Sequence, residues 1–154
     1  MNLRGKPFYL SDESVSWVNE TLKSMSEEEK IAQLFCLVAY SSDENYLNYL
    51  SKKLKVGGIM CRTMPSDEVV KTVTQLQGAS KIPMLISANL ENGGCGVATD
   101  GTRLGCEMAV AATNDPEYGK LLGKICGKEG AALGVNWSFA PIVDIEMNFR
   151  NPIT

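Results

Sequence analysis

The sequence predicts an α/β chain whose strands pair in parallel. Two observations carry that expectation: four short apolar runs, and amphipathic stretches of helical period between each run and the next. Strands that alternate with helices form βαβ units, and such units build parallel sheets. A third observation makes the chain one unit. No repeat, low-complexity segment or linker divides its 154 residues, a length ordinary for a single core.

Residues 1–10 read as an extension before the first helix, which is predicted from Ser11 to about Met25. Ser11 can cap it, Asp12 and Glu13 suit its positive end, and Val15, Val18, Leu22 and Met25 recur every three to four residues. A second helix start follows at Ser26-Glu27-Glu28-Glu29, where Glu29 completes the form of a capping box. It leads into the first strand, Leu34 to Ala39. Glu44 to Leu54 is predicted helical, with Tyr46, Leu47, Leu50 and Leu54 on one face, and the second strand is Val56 to Met60. Ser66 is expected to cap the next helix, which uses Val69, Val70, Val73 and Leu76. Pro83 opens the third strand, Met84 to Asn89. A long helix starts at Asp115, with Pro116 at its favoured first position, and ends near Gly134, the expected C-cap. The fourth strand runs from Trp137 to about Asp144.

The long helix carries Gly119, Gly123, Gly127, Gly130 and Gly134 along one stripe. Each internal glycine costs about 1 kcal/mol against alanine, so close packing of this face is the expected compensation.

Composition narrows the chemistry. Lys+Arg 15 against Asp+Glu 18 gives a net charge of −3, which disfavours nucleic acid or an anionic membrane as partner. No apolar run approaches the roughly 20 residues that span a bilayer. The opening MNLRGKPFYL lacks the apolar core of a signal peptide, so cytoplasm is the expected compartment. The five cysteines are never spaced as CxxC, and Cys36, Cys61 and Cys126 sit among apolar neighbours, so reduced core thiols are expected. There is no histidine, which excludes Ser-His-Asp, Cys-His and His-metal chemistry within the chain. No metal or cofactor is expected.

The strongest local signal is Ser87-Ala88-Asn89-Leu90-Glu91-Asn92-Gly93-Gly94-Cys95-Gly96. It leaves the C-terminal end of the third strand, where α/β proteins place ligands. Asn89 and Glu91 offer donors and acceptors suited to sugar hydroxyls, and the glycines allow backbone to approach a ligand. Alternatively, both side chains satisfy loop backbone. A dinucleotide fingerprint would need glycine where Thr99 stands, and no helix start follows directly. The second candidate is the end of the fourth strand, Asp144 to Pro152. There Asp144 either pairs with Arg150 or reaches a ligand, and the ion pair is the simpler reading. Arg62, after the second strand, is a third rim residue of structural character.

Four stretches, in order, resemble the N-terminal barrel of family 3 glycoside hydrolases, in the β-N-acetylglucosaminidase branch. They are EEKIAQLF, KVGGIM, IPMLISANLENGG and EGAALGVNWSFAPIVDIEMNFRNPIT, and the likeness covers nearly the whole chain after Ser11. The resemblance implies an eight-stranded β/α barrel, of which residues 1–154 supply the first half, about four βα units. It implies retaining hydrolysis of terminal β-linked N-acetylhexosamine or a related β-glycoside, by a carboxylate nucleophile and a proton donor. In this branch the donor is a histidine paired with an aspartate after strand five, and the nucleophile is an aspartate after strand seven. Both are expected beyond Thr154, so no catalytic residue is expected in this chain. The family's third-strand pattern is Asp-Gln-Glu-Gly-Gly, whose aspartate holds sugar hydroxyls. Here Asn89 takes that position, with Glu91 beside it and Asn92 inserted, which leaves open which of the two grips the sugar. The implied partner is a carbohydrate substrate. A non-catalytic sugar-binding or structural half-barrel is the alternative. Half a barrel also leaves β1 and β4 edges unpaired and side chains such as Leu37, Ile59 and Ile86, or their neighbours, without an opposite wall. Either the C-terminal half or a homodimer through these edges is expected to cover them.

Overall fold

The computed structural model describes residues 2–145 and 147–150. Ser11 caps α1 (Asp12–Ser24), its side chain accepting from the Ser14 N–H. Both halves of the predicted capping box form at α2 (Glu27–Ala32): Ser26 accepts from the Glu29 N–H, and Glu29 from the Ser26 N–H. There follow β1 (Cys36–Ala39), α3 (Glu44–Asn48), β2 (Gly58–Cys61), α4 (Ser66–Ala79), β3 (Leu85–Ala88), α5 (Glu107–Ala112), α6 (Pro116–Ala132) and β4 (Trp137–Ser138). The predicted helix over 44–54 changes pitch midway, α3 passing into a π-helical stretch, Tyr49–Leu54, that ends at left-handed Lys55. α5 has no counterpart among the expected elements, because six residues are too few for a period to show.

The sheet runs β1-β2-β3-β4 with every pair parallel, as the alternation of strands and helices predicts. Sequential order with a helical layer is the arrangement from which a β/α barrel is built. The strands are shorter than the apolar runs. Leu34 and Phe35 remain exposed ahead of β1. After Ser138 the Phe139 N–H makes one last bond to the Ala88 carbonyl, and Pro141 then has no N–H to continue the ladder.

The pleat decides which side chains are covered. Leu37, Ala39, Ile59, Cys61, Ile86 and Ala88 face the helices and pack with Leu47, Leu50, Val69, Val73 and Leu76. Each Leu or Ile buried this way contributes about 1.5–3 kcal/mol. Leu37, Ile59 and Ile86 are therefore not on the open wall. Their neighbours are: Cys36, Leu85 and Trp137 lie on the opposite face and are exposed. Cys36 thus departs from the core role expected of it, whereas Cys61 and Cys126 are buried.

The glycine stripe of α6 also divides. A Cβ at Gly130 would meet Leu90 at 2.6 Å, and one at Gly134 would meet Val73 at 2.7 Å. Gly123 and Gly127 would meet nothing within 4 Å. Close packing accounts for the helix's end only. Among the described residues no helix is long and apolar enough to cross a membrane.

Candidate functional site

The parallel strands deliver Tyr40, Arg62 and Asn89 to one sheet edge, each just past the C-terminal end of its strand. The Arg62 guanidinium lies 5.2 Å from the centre of the Tyr40 ring, a cation–π contact that explains its rim position structurally. Asn89 is exposed, and among the described residues its side chain makes no hydrogen bond. Its amide is free to meet a ligand.

Glu91 is half-buried and forms part of the wall of a groove of about 560 Å³ between α5, α6 and the segment through Ser138 and Pro141. Leu122, Gly123 and Gly127 supply the apolar side of that groove, which is where the unpacked glycines lie. Across it, Glu107 accepts from the Ile142 N–H at 3.0 Å.

The loop that carries Asn89 and Glu91 is folded upon itself. The Leu104 N–H donates to the Asn92 carbonyl at 2.7 Å, and the Cys95 N–H to that of Thr102 at 3.2 Å. A Cβ at Gly96 would stand 1.4 Å from the Asn89 carbonyl oxygen, and one at Gly94 would stand 2.0 Å from a Glu129 carboxylate oxygen. Gly93 holds φ +115, which L side chains rarely adopt. The glycines therefore let the loop approach its own backbone and α6.

Two carboxylates fasten this loop to helices. Asp100 accepts from the Ser66 N–H at 2.9 Å and from its hydroxyl at 2.6 Å. Ser66 is accordingly the first residue of α4, after Pro65, and not its cap: the capping acceptor comes from the loop. These Ser66 bonds hold the Asp100 carboxyl below its ordinary value. Glu129, on α6, accepts through one oxygen from the Gly94 N–H at 2.9 Å and the Thr102 N–H at 3.1 Å. Neither role was legible locally, since each partner is far away in sequence. The available hint for Glu129 was its place beside Gly130 in the glycine stripe.

Burial pushes the Cys61 thiol up to about 11, with Cys36 adding to the shift. Burial also raises Cys126, against an opposing hydrogen bond from the Gly93 backbone. Both remain thiols at neutral pH.

Asp144 is exposed, and the predicted ion pair with Arg150 does not form: the Arg150 guanidinium lies 5.4 Å from the Phe149 ring centre instead. Glu146, Asn151 and Pro152 of that segment lie outside the described residues. Among the described residues no hydrogen bond links Asn89, Glu91 and Asp144. Asn89 and Glu91 follow the C-terminal end of β3, and Asp144 follows that of β4.

This architecture matches a known domain. The Glycosyl hydrolase family 3 N terminal domain aligns with residues 26–154. The chain belongs to glycosyl hydrolase family 3. A beta-N-acetylglucosaminidase/beta-glucosidase of Cellulomonas fimi is 47% identical over 154 residues, which are 100% of this chain and 27% of that protein. The family 3 chain thus spans about a quarter of that relative's length. Among solved structures, the beta-glucoside phosphorylase BglX bound to 2FGlc superimposes with a TM-score of 0.91 at 42% identity, covering 99% of this chain and 28% of that one. A family 3 beta-N-acetylglucosaminidase from Paenibacillus sp. str. FPU-7 gives 0.63 at 28% identity, covering 77% of this chain and 24% of that one.

Proposed function

We propose that this family 3 chain is the amino-terminal part of a retaining glycosidase that removes terminal β-linked N-acetylhexosamine. Asn89 and Glu91 hold hydroxyls of the sugar, and Asp144 stands at the rim. The observation that carries the reading is the exposed, unengaged Asn89 amide at the end of β3, set in a chain 47% identical to a beta-N-acetylglucosaminidase/beta-glucosidase. Retaining hydrolysis needs a nucleophile and a proton donor. The chain has no histidine to serve as the donor expected in this branch. By itself it is inactive.

The full-length polypeptide is expected to release the aryl group from an aryl N-acetyl-β-glucosaminide, and the 154-residue chain to show none above background. Robust turnover by the purified chain alone would overturn the placement of the catalytic groups. A second reading is favoured by the fit to a beta-glucoside phosphorylase: phosphate, not water, takes the glycosyl group. Running the reaction with aryl N-acetyl-β-glucosaminide and aryl β-glucoside, with and without inorganic phosphate, separates the two. Hydrolysis gives free sugar, and phosphorolysis gives a sugar 1-phosphate.

A further inference from the structure

We infer that Glu129 is a positioning residue that sets, from outside the sugar edge, the geometry with which Asn89 and Glu91 meet their ligand. The inference rests on the reading of those two side chains as sugar-binding. Three positions on one turn of α6 touch the loop. Cys126 lies against the Gly93 backbone, Glu129 receives the Gly94 and Thr102 N–H groups, and Gly130 leaves the space that Leu90 fills. Helical spacing of three and four puts 126, 129 and 130 on a single face. Leu90 separates Asn89 from Glu91, and Gly93 lies just past Glu91, so the helix grips the chain on both sides of Glu91.

Glu129 is the decisive contact of the three. One carboxylate oxygen draws together two loop backbones, at Gly94 and Thr102, that the Cys95 N–H to Thr102 carbonyl bond also links. Hydrogen bonds to an ionised acceptor are roughly twice as strong as neutral ones. Among the described residues no Lys or Arg pairs with Glu129, so its charge is met by backbone N–H groups of the loop. The fit has no slack on the loop side, because any side chain at Gly94 would strike the carboxylate.

The test uses the full-length enzyme and compares Glu129→Ala with Glu129→Gln, with Asn89→Ala as reference. The alanine variant is expected to lose about tenfold or more in kcat/KM, chiefly through KM, because misplacing a binding group by about 1 Å is that costly. The glutamine variant, which keeps a neutral and weaker acceptor for both N–H groups, is expected to lose clearly less than the alanine variant. Amide deuterium exchange over residues 93–104 should accelerate in the alanine variant and less in the glutamine variant. A role in stability alone would lower Tm and leave the kinetics of the folded enzyme unchanged. Should Glu129→Ala fail to fold, Gly94→Ala presses on the same contact from the other side and should reproduce the pattern. Unchanged exchange over 93–104 overturns the inference. Faster exchange with unchanged kcat/KM overturns it as well, and Asn89→Ala then locates the error. If that variant is impaired, Glu129 does not set the sugar geometry; if it too is unimpaired, the sugar-binding reading itself is wrong.

Discussion

The segments leaving β3 and β4 emerge side by side from one sheet and are treated in opposite ways. The β3 exit, residues 89–105, is polar and glycine-rich, yet Leu90, Gly93, Gly94, Val97 and Ala98 within it are buried. The β4 exit is the more apolar of the two, yet Val143, Ile145 and Met147 are 81%, 81% and 90% exposed. Polar composition did not keep the first segment at the surface, because Glu129, the Met64 carbonyl and the segment's own carbonyls accept from its backbone donors. Apolar composition did not bury the second, because burial requires a facing surface, and an exposed apolar stretch marks where one belongs.

Association tests that contrast most strongly. We propose that the apolar exit and the open edges of β1 and β4 are covered by the C-terminal half of the barrel or, in the isolated chain, by a second copy. Light scattering of the 154-residue chain at tens of micromolar should report the mass of a dimer, whose interface is expected to exceed about 1,000 Å². A cooperative monomer would break the comparison by showing that β4 needs no partner.

The β3 exit is next. Gly96→Ala forces a methyl group to within 1.4 Å of the Asn89 carbonyl, so the backbone must shift. A loss of about 3 kcal/mol or more in denaturant unfolding is expected, against about 0.5 kcal/mol or less for Met147→Ala in the exposed exit. Equal effects would erase the difference between the two segments. In the full-length enzyme Asn89→Ala should weaken transition-state binding by about 2 kcal/mol or more, measured as kcat/KM, and Asp144→Ala by less.

The smallest expected effect is on acid stability. The folded Asp100 carboxyl titrates below its ordinary value because of the Ser66 bonds. Its contribution is complete above the unfolded pKa and is lost as pH falls through the lower folded one. Asp100→Asn should therefore flatten the acid end of a stability profile and leave its slope near neutrality unchanged.

Most of the framework was legible because its causes are local. The cap at Ser11, the capping box at Ser26 and Glu29, Pro116 at the start of α6 and the apolar runs each act within a few residues. The expectations that failed depended on distant partners. Ser66 looked like a cap because Asp100, which accepts from it, lies in a later loop. The α6 glycines looked uniform because sequence does not say where a helix face runs out of neighbours. The placement of the candidate residues Asn89 and Glu91 just past β3 was legible from the strand itself, whereas the support that Glu129 gives their loop was not, since its Gly94 and Thr102 donors are distant in sequence.

The Asp100–Ser66 contact also orders events during synthesis. Ser66, the first residue of α4, leaves the ribosome 34 residues before the side chain that accepts from it. At about 5–20 residues per second, that interval is roughly 2–7 s. During it, α4 must rely on its apolar face and on water at its first turn. The arrival of β3 and its loop then supplies the acceptor for the helix start, and Glu129 and β4, later still in sequence, tie the same loop and strand in turn.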